Sequence, residues 1–97
     1  DGEQTRDFIH VEDVARFVAV VLEKGATGVY NVGTGKAISI KNLANIIMKL
    51  FDVEGTAIHV SPRPGDIKHS VADISRALSL GWRPQIALED GLKKLII

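Results

Sequence analysis

Hydrophobic positions recur along this chain with two periods, and each change of period marks an element boundary. Residues 5–11 alternate, with Ile9 and Val11 on one face and Phe8 and His10 on the other, which predicts a short strand. Val14, Phe17, Val18, Val21 and Leu22 then repeat at helical spacing. Glu12 and Asp13 fall in the first turn, where carboxylates suit the helix dipole, and Lys24-Gly25 closes the helix. Ala15, Ala19 and Val20 leave this helix apolar nearly all round, as expected of one covered on two sides.

A short apolar stretch at residues 28–32 reads as a second strand, followed by a loop at 33–36. Ser39 is a predicted N-cap. The helix after it turns Leu43, Ala44, Ile47, Leu50 and Phe51 inward and Lys41, Asn42, Asn45 and Lys49 outward. Residues 56–60 read as a strand, 61–66 as a turn-rich loop and 67–71 as another brief strand. Asp73 is expected to cap a short helix through Leu80. Gly81 suits the left-handed position beyond it, and Pro84 prevents continuation. Trp82 is expected to pack over that helix end. Leu88, Leu92, Leu95 and Ile96 place a final helix within residues 86–97. The order β-α-β-α-β-(β)-α-α defines a mixed α/β chain.

Composition narrows the function classes. The 97 residues are 45% hydrophobic and 25% charged, which is ordinary for one small folded unit. Twelve basic residues balance twelve acidic ones, against the basic excess of a nucleic-acid module. Cysteine is absent, which removes disulfides and thiolate metal sites. No apolar run approaches a membrane span and no signal peptide is visible, so a cytoplasmic location is expected. Met48 is the single methionine, Asp1-Gly2 reads as a hairpin turn, and Leu95-Ile96-Ile97 ends within a helical pattern. The chain therefore reads as a piece of a longer protein.

Three polar groups are candidates for chemistry. Gly33-Thr34-Gly35-Lys36 invites a phosphate-loop reading, but Tyr30 and Ala37 occupy the positions where a Walker A loop needs Gly and Ser/Thr. Position 38 is Ile, so a GxGxxG spacing also fails, and a plain connection is the simpler reading. In Arg63-Pro64-Gly65-Asp66, Pro and Gly suit a type II turn that draws Arg63 and Asp66 together. Such a pair either braces a surface turn or meets a ligand, the Arg binding a diphosphate and the Asp a ribose diol. Arg6-Asp7-Phe8-Ile9-His10 puts charges in an apolar strand, which demands partners or a cleft. Its plain reading is an Arg6–Asp7 pair with His10 bonded to backbone. His59 and His69 have no metal-ligand spacing and read as surface or packing residues. No GxSxG, HExxH or paired-carboxylate motif occurs.

Taken in series, five segments resemble one family. The run from Asp1 through Ala15 is close to the "DGxQxRDFxHVxD" stretch of nucleotide-sugar epimerases and dehydratases, the extended short-chain dehydrogenase/reductases. Tyr30-Asn31-Val32-Gly33-Thr34-Gly35 resembles their "YNxGxG" segment. Arg63-Pro64-Gly65-Asp66 followed by Ala72-Asp73-Ile74-Ser75-Arg76-Ala77 resembles "RxGD…aDxsKA". Leu80-Gly81-Trp82-Arg83-Pro84 and Leu88-Glu89-Asp90-Gly91-Leu92 resemble the closing "LGWxPxxxLExGL".

The resemblance is to the C-terminal substrate-binding portion of such an enzyme, including the last helix and strand of its Rossmann sheet. Residues 1–35 would form the edge of the Rossmann domain and the start of the pocket, and residues 36–97 the substrate-binding subdomain. It implies that Arg6 and Arg63 contact the diphosphate of a nucleotide sugar and that Asp66 holds the ribose hydroxyls. Phe8, Asn31 and Val32 would lie near the nucleotide. Asp directly after Gly in RPGD looks more like a UDP-sugar 4-epimerase than a dTDP-sugar 4,6-dehydratase, which tends to have His there. NAD would be the cofactor of the intact enzyme, oxidising the sugar C4 hydroxyl and returning hydride to the other face. The dinucleotide glycine loop and the Tyr-x-x-x-Lys pair are absent from this sequence, so the 97 residues are expected neither to hold NAD nor to catalyse alone. The implied partners are the nucleotide sugar, an N-terminal dinucleotide-binding domain covering the apolar helix, and a second copy in a homodimer. A non-catalytic nucleotide-binding or interaction module is the competing reading.

Overall fold

The computed structural model describes residues 2–53, 55 and 65–96. The predicted strand at 56–60, His59, and the Arg63-Pro64 half of the predicted turn lie outside the described residues. Strand β1 (Thr5–Arg6) pairs antiparallel with β2 (Ile38–Ser39), Thr5 opposite Ser39 and Arg6 opposite Ile38. Among the described residues four helices follow: α1 (Val11–Lys24), α2 (Ile40–Leu50), α3 (Ser75–Ser79) and α4 (Leu88–Leu95).

Pairing shortens several predicted strands. Only Thr5 and Arg6 of residues 5–11 meet a ladder partner, and Val11 already belongs to α1. Residues 28–32 alternate, with Tyr30 and Val32 turned to the core and Val29 79% exposed, but form no strand. Alternation reports which face is buried; a strand also needs a neighbour. Residues 67–71 contribute one parallel bridge, His69 to Thr5, with the Thr5 amide donating to the Lys68 carbonyl (2.8 Å) and the Ser70 amide to the Thr5 carbonyl (3.1 Å). Thr5 is thus the point where three segments meet.

The helix ends show the capping chemistry. Ser39 Oγ accepts from the Asn42 amide at 3.1 Å, as predicted. Gly25 (φ 61°) and Gly81 (φ 89°) take the left-handed positions after α1 and α3. At the start of α1 the cap is His10, whose Nδ1 accepts from the Glu12 amide (3.1 Å). Asp73 accepts from the Ser75 amide (3.1 Å) and hydroxyl (2.7 Å), so it forms a turn just ahead of α3, whose N-cap is Ile74. The last helix is shorter than its pattern, because Ile86 lies before it.

The core is small because the molecule is a slab, 48 × 34 × 16 Å. Phe17, Ile74, Ala77 and Trp82 are buried, with Ile9, Val20, Val21, Tyr30, Val32, Ala72 and Leu80 packed around them. Phe17 meets Trp82 edge-on (5.5 Å, 82°) and Tyr30 at a tilt (5.7 Å), geometries that suit aromatic quadrupoles. Trp82 therefore does more than cover a helix end: its Nε1 donates to the Asp13 carbonyl at 3.0 Å, joining the segment after α3 to α1. The Asp13 side chain is fully buried beside it. Its carboxylate accepts from the Gln85 (3.0 Å) and Ile86 (3.1 Å) amides and pairs with Arg16. Arg76 lies 4.8 Å from the Tyr30 ring centre and donates to the Val29 carbonyl (2.7 Å). The far side of α1 is bare, with Val11, Val18 and Leu22 at 70%, 50% and 78% exposure.

Candidate functional site

Around Thr5 the chain builds a shallow polar cleft. It is lined by Arg6 and Asp7, by Tyr30 through Gly33, and by residues 70–73, and encloses about 460 Å³. Three of the residues expected to touch a nucleotide sugar, Arg6, Asn31 and Val32, stand together here. Arg6 Nη1 donates to the Thr5 carbonyl (2.7 Å) and the Lys68 carbonyl (3.4 Å). A guanidinium has five donors, so these two contacts to one nitrogen orient it and leave others for an anion. Phe8 lines a different cavity of about 430 Å³, with Thr34, Lys36, Ile38 and Ile86. Asp66 is exposed. Its predicted pairing with Arg63 lies outside the described residues.

Arg6 and Asp7 do not pair. Asp7 Oδ1 accepts from the Thr34 amide (2.9 Å) and hydroxyl (2.5 Å), and Oδ2 from the Gly35 (2.9 Å) and Ala72 (3.4 Å) amides. Burial alone would raise the pKa of this carboxyl; the bonds from Thr34, Gly35 and Ala72 outweigh it and hold it below the usual aspartate value. Gly33 is required at this spot for lack of room, since a Cβ there would lie 2.6 Å from Asp7 Oδ2 and 2.8 Å from Ala72 Cβ.

The same bonds decide the phosphate-loop question. The Thr34 and Gly35 amides, the donors such a loop would offer a pyrophosphate, already serve Asp7. The loop also runs into β2 rather than directly into a helix. Residues 33–36 therefore do not fit a dinucleotide. Among the described residues no group of three metal-ligating side chains stands together, and no helix is long and apolar enough to cross a membrane.

Residues 1–95 match the family described as GDP-mannose 4,6 dehydratase. The dTDP-L-rhamnose 4-epimerase of Burkholderia thailandensis is 37% identical over 98 residues, a match that covers 98% of this chain and 27% of that protein. The UDP-glucose 4-epimerase of Thermotoga maritima, solved with UDP-glucose, superposes with a TM-score of 0.89 at 36% identity, over 96% of this chain and 30% of that one. The Thermus thermophilus UDP-glucose 4-epimerase, solved with NAD, gives 0.86 at 30% identity, again over 96% and 30%.

The chain belongs to the nucleotide-sugar epimerase and dehydratase family of extended short-chain dehydrogenase/reductases, and its α/β fold is a part of theirs. Among its relatives it is similar to the UDP-glucose 4-epimerases. It spans about a third of the length of these relatives.

Proposed function

We propose that these residues form the nucleotide-sugar binding part of an NAD-dependent 4-epimerase acting on a UDP-sugar. The observation that carries this is the placement of Arg6 in a cleft with Asn31, Val32 and the 70–73 segment. Arg6 and Arg63 bind the diphosphate, Asp66 the ribose, and Phe8, Asn31 and Val32 border the nucleotide. Fixing the nucleotide end in this way positions the distant sugar, and remote binding of that kind serves orientation at the reacting carbon. Residues 1–35 edge the dinucleotide-binding domain, and residues 36–97 form the substrate subdomain. The bare face of α1, Val11-Val18-Leu22, packs on the remainder of that domain, which also holds the cofactor.

The match to a family described as a 4,6 dehydratase supports a second reading, in which the same site serves sugar dehydration. The complete gene product containing these residues, incubated with UDP-glucose and NAD, separates the two. Epimerisation gives a nucleotide sugar of unchanged mass and altered retention. Dehydration gives a product lighter by one water. Conversion by neither route would overturn the proposal that the protein processes UDP-glucose.

A further inference from the structure

Asp7 is the most heavily used carboxylate of the cleft, and the binding reading gives it no task. Its two oxygens gather donors from two parts of the chain distant in sequence, the loop at Thr34-Gly35 and Ala72, and so tie both to the end of β1. Ala72 is a wall of the cleft that holds Arg6, and the loop continues directly from Gly33, another of its walls. Arg6 is the adjacent residue, and its guanidinium rests on Lys68 of the segment that leads to Ala72.

We propose that Asp7 is a positioning residue for nucleotide-diphosphate binding, an internal anion that locks the loop and the 70–73 segment around Arg6 before the ligand arrives. This rests on the reading of Arg6 as a diphosphate contact. The physical logic is preorganisation. A cleft whose walls are already fixed loses little conformational freedom when it closes on a ligand, so more of the interaction free energy appears as affinity. Asp7 also settles which anion goes where. By filling the loop amides it leaves the Arg6 side chain as the cation offered to the diphosphate. Without the carboxylate, the Thr34, Gly35 and Ala72 amides lose their common acceptor, and the loop can drift or recruit a phosphate in the wrong place.

The test is calorimetric titration of UDP into the complete gene product, comparing wild type with Arg6→Ala, Asp7→Asn, Thr34→Val and the Arg6→Ala/Asp7→Asn double variant. Thermal melts set a temperature at which every variant is folded. Asp7→Asn keeps the shape but turns an amide NH₂ toward backbone donors. Thr34→Val removes only the hydroxyl donor, and it decides the matter should Asp7→Asn fail to fold. Asp7→Asn is expected to weaken UDP at least about tenfold, and Thr34→Val about threefold, both at unchanged stoichiometry. The double variant is expected to lose little more than Arg6→Ala alone, because Asp7 acts through Arg6. A merely structural Asp7 would instead lower the fraction of binding-competent protein and leave the dissociation constant of the rest unchanged. That outcome, or losses that multiply in the double variant, overturns the inference. Unchanged affinity in Arg6→Ala overturns the binding reading itself, and this inference with it. A loss in Arg6→Ala with none in Asp7→Asn and Thr34→Val overturns this inference alone.

Discussion

Replacing Asp13 by Ala should be among the most damaging single changes in this chain. The side chain is fully buried and accepts from two backbone amides of the 82–86 segment while pairing with Arg16. Truncation leaves the Gln85 and Ile86 amides without their acceptor, at about 1 kcal/mol each. The vacated volume under Trp82 adds about 1 kcal/mol. The Arg16 side chain as a whole is 37% exposed, which screens the pairing, but the Nη2 that meets Asp13 is itself buried, so its loss of a partner adds a small further cost. The sum, about 3 kcal/mol, meets the lower end of the range for breaking a buried ion pair. A slab with four buried apolar side chains among the described residues sits at the weak end of domain stability, about 5 kcal/mol, so most of the stability is lost. Trp82 is the sole tryptophan and is buried at this spot, so its emission reports urea unfolding of the chain directly. With a slope of about 1–1.5 kcal/mol per molar, the midpoint should fall by about 2–3 M. Arg16→Ala should cost less, because the two amides remain. An Asp13→Ala variant within about 1 kcal/mol of wild type would refute the clamp, as would an Arg16→Ala variant that is worse.

Other consequences can be checked in the same way. Gly33→Ala drives a methyl into Asp7 Oδ2 and Ala72, so it should destabilise by about 1–3 kcal/mol in urea titrations and loosen UDP binding. Asp52 holds φ 52° where the chain leaves α2, its amide bonding Lys49 and the Val53 amide bonding Met48 in a Schellman turn. Asp52→Gly should raise the unfolding midpoint by about 0.5–1 kcal/mol equivalent. Asp7, Glu12 and Asp73 all have carboxyl pKa values lowered in the fold, through bonds to Thr34, Lys94 and Ser75. Their contribution is complete above the ordinary carboxyl values near 4 and is lost as pH falls through the lower folded values. Stability followed by Trp82 emission should therefore fall below about pH 4, and Asp7→Asn should flatten that acid limb.

Much of this was legible in the residues, and the gaps have physical reasons. Helices announce themselves through a 3.6-residue period and their caps, so α1, α2 and the positions of Ser39, Gly25 and Gly81 were readable. β2 is two residues long and carries no period at all. The stretch at 28–32 alternates without a strand partner among the described residues, and partnership is a tertiary fact. Asp7 attracted attention as a charge in an apolar strand, but pairing it with Arg6 overlooks that neighbours on an extended chain face opposite ways. Asp13 read as a helix-dipole acid, although it stands four residues before Phe17, on the face that becomes the core. In both cases the usable signal was a carboxylate on the buried side of its element. His10 was readable as bonded to backbone, and the Glu12 amide is that partner; its role as the cap of α1 was not, because a cap depends on where the strand ends.

Titrating UDP and, separately, uridine into the complete gene product isolates the role proposed for Arg6, because the two ligands differ by the diphosphate. UDP should bind at least about tenfold more tightly than uridine, and Arg6→Ala should remove most of that difference. Equal affinities for the two ligands, or a preference for UDP that survives Arg6→Ala intact, would contradict that role.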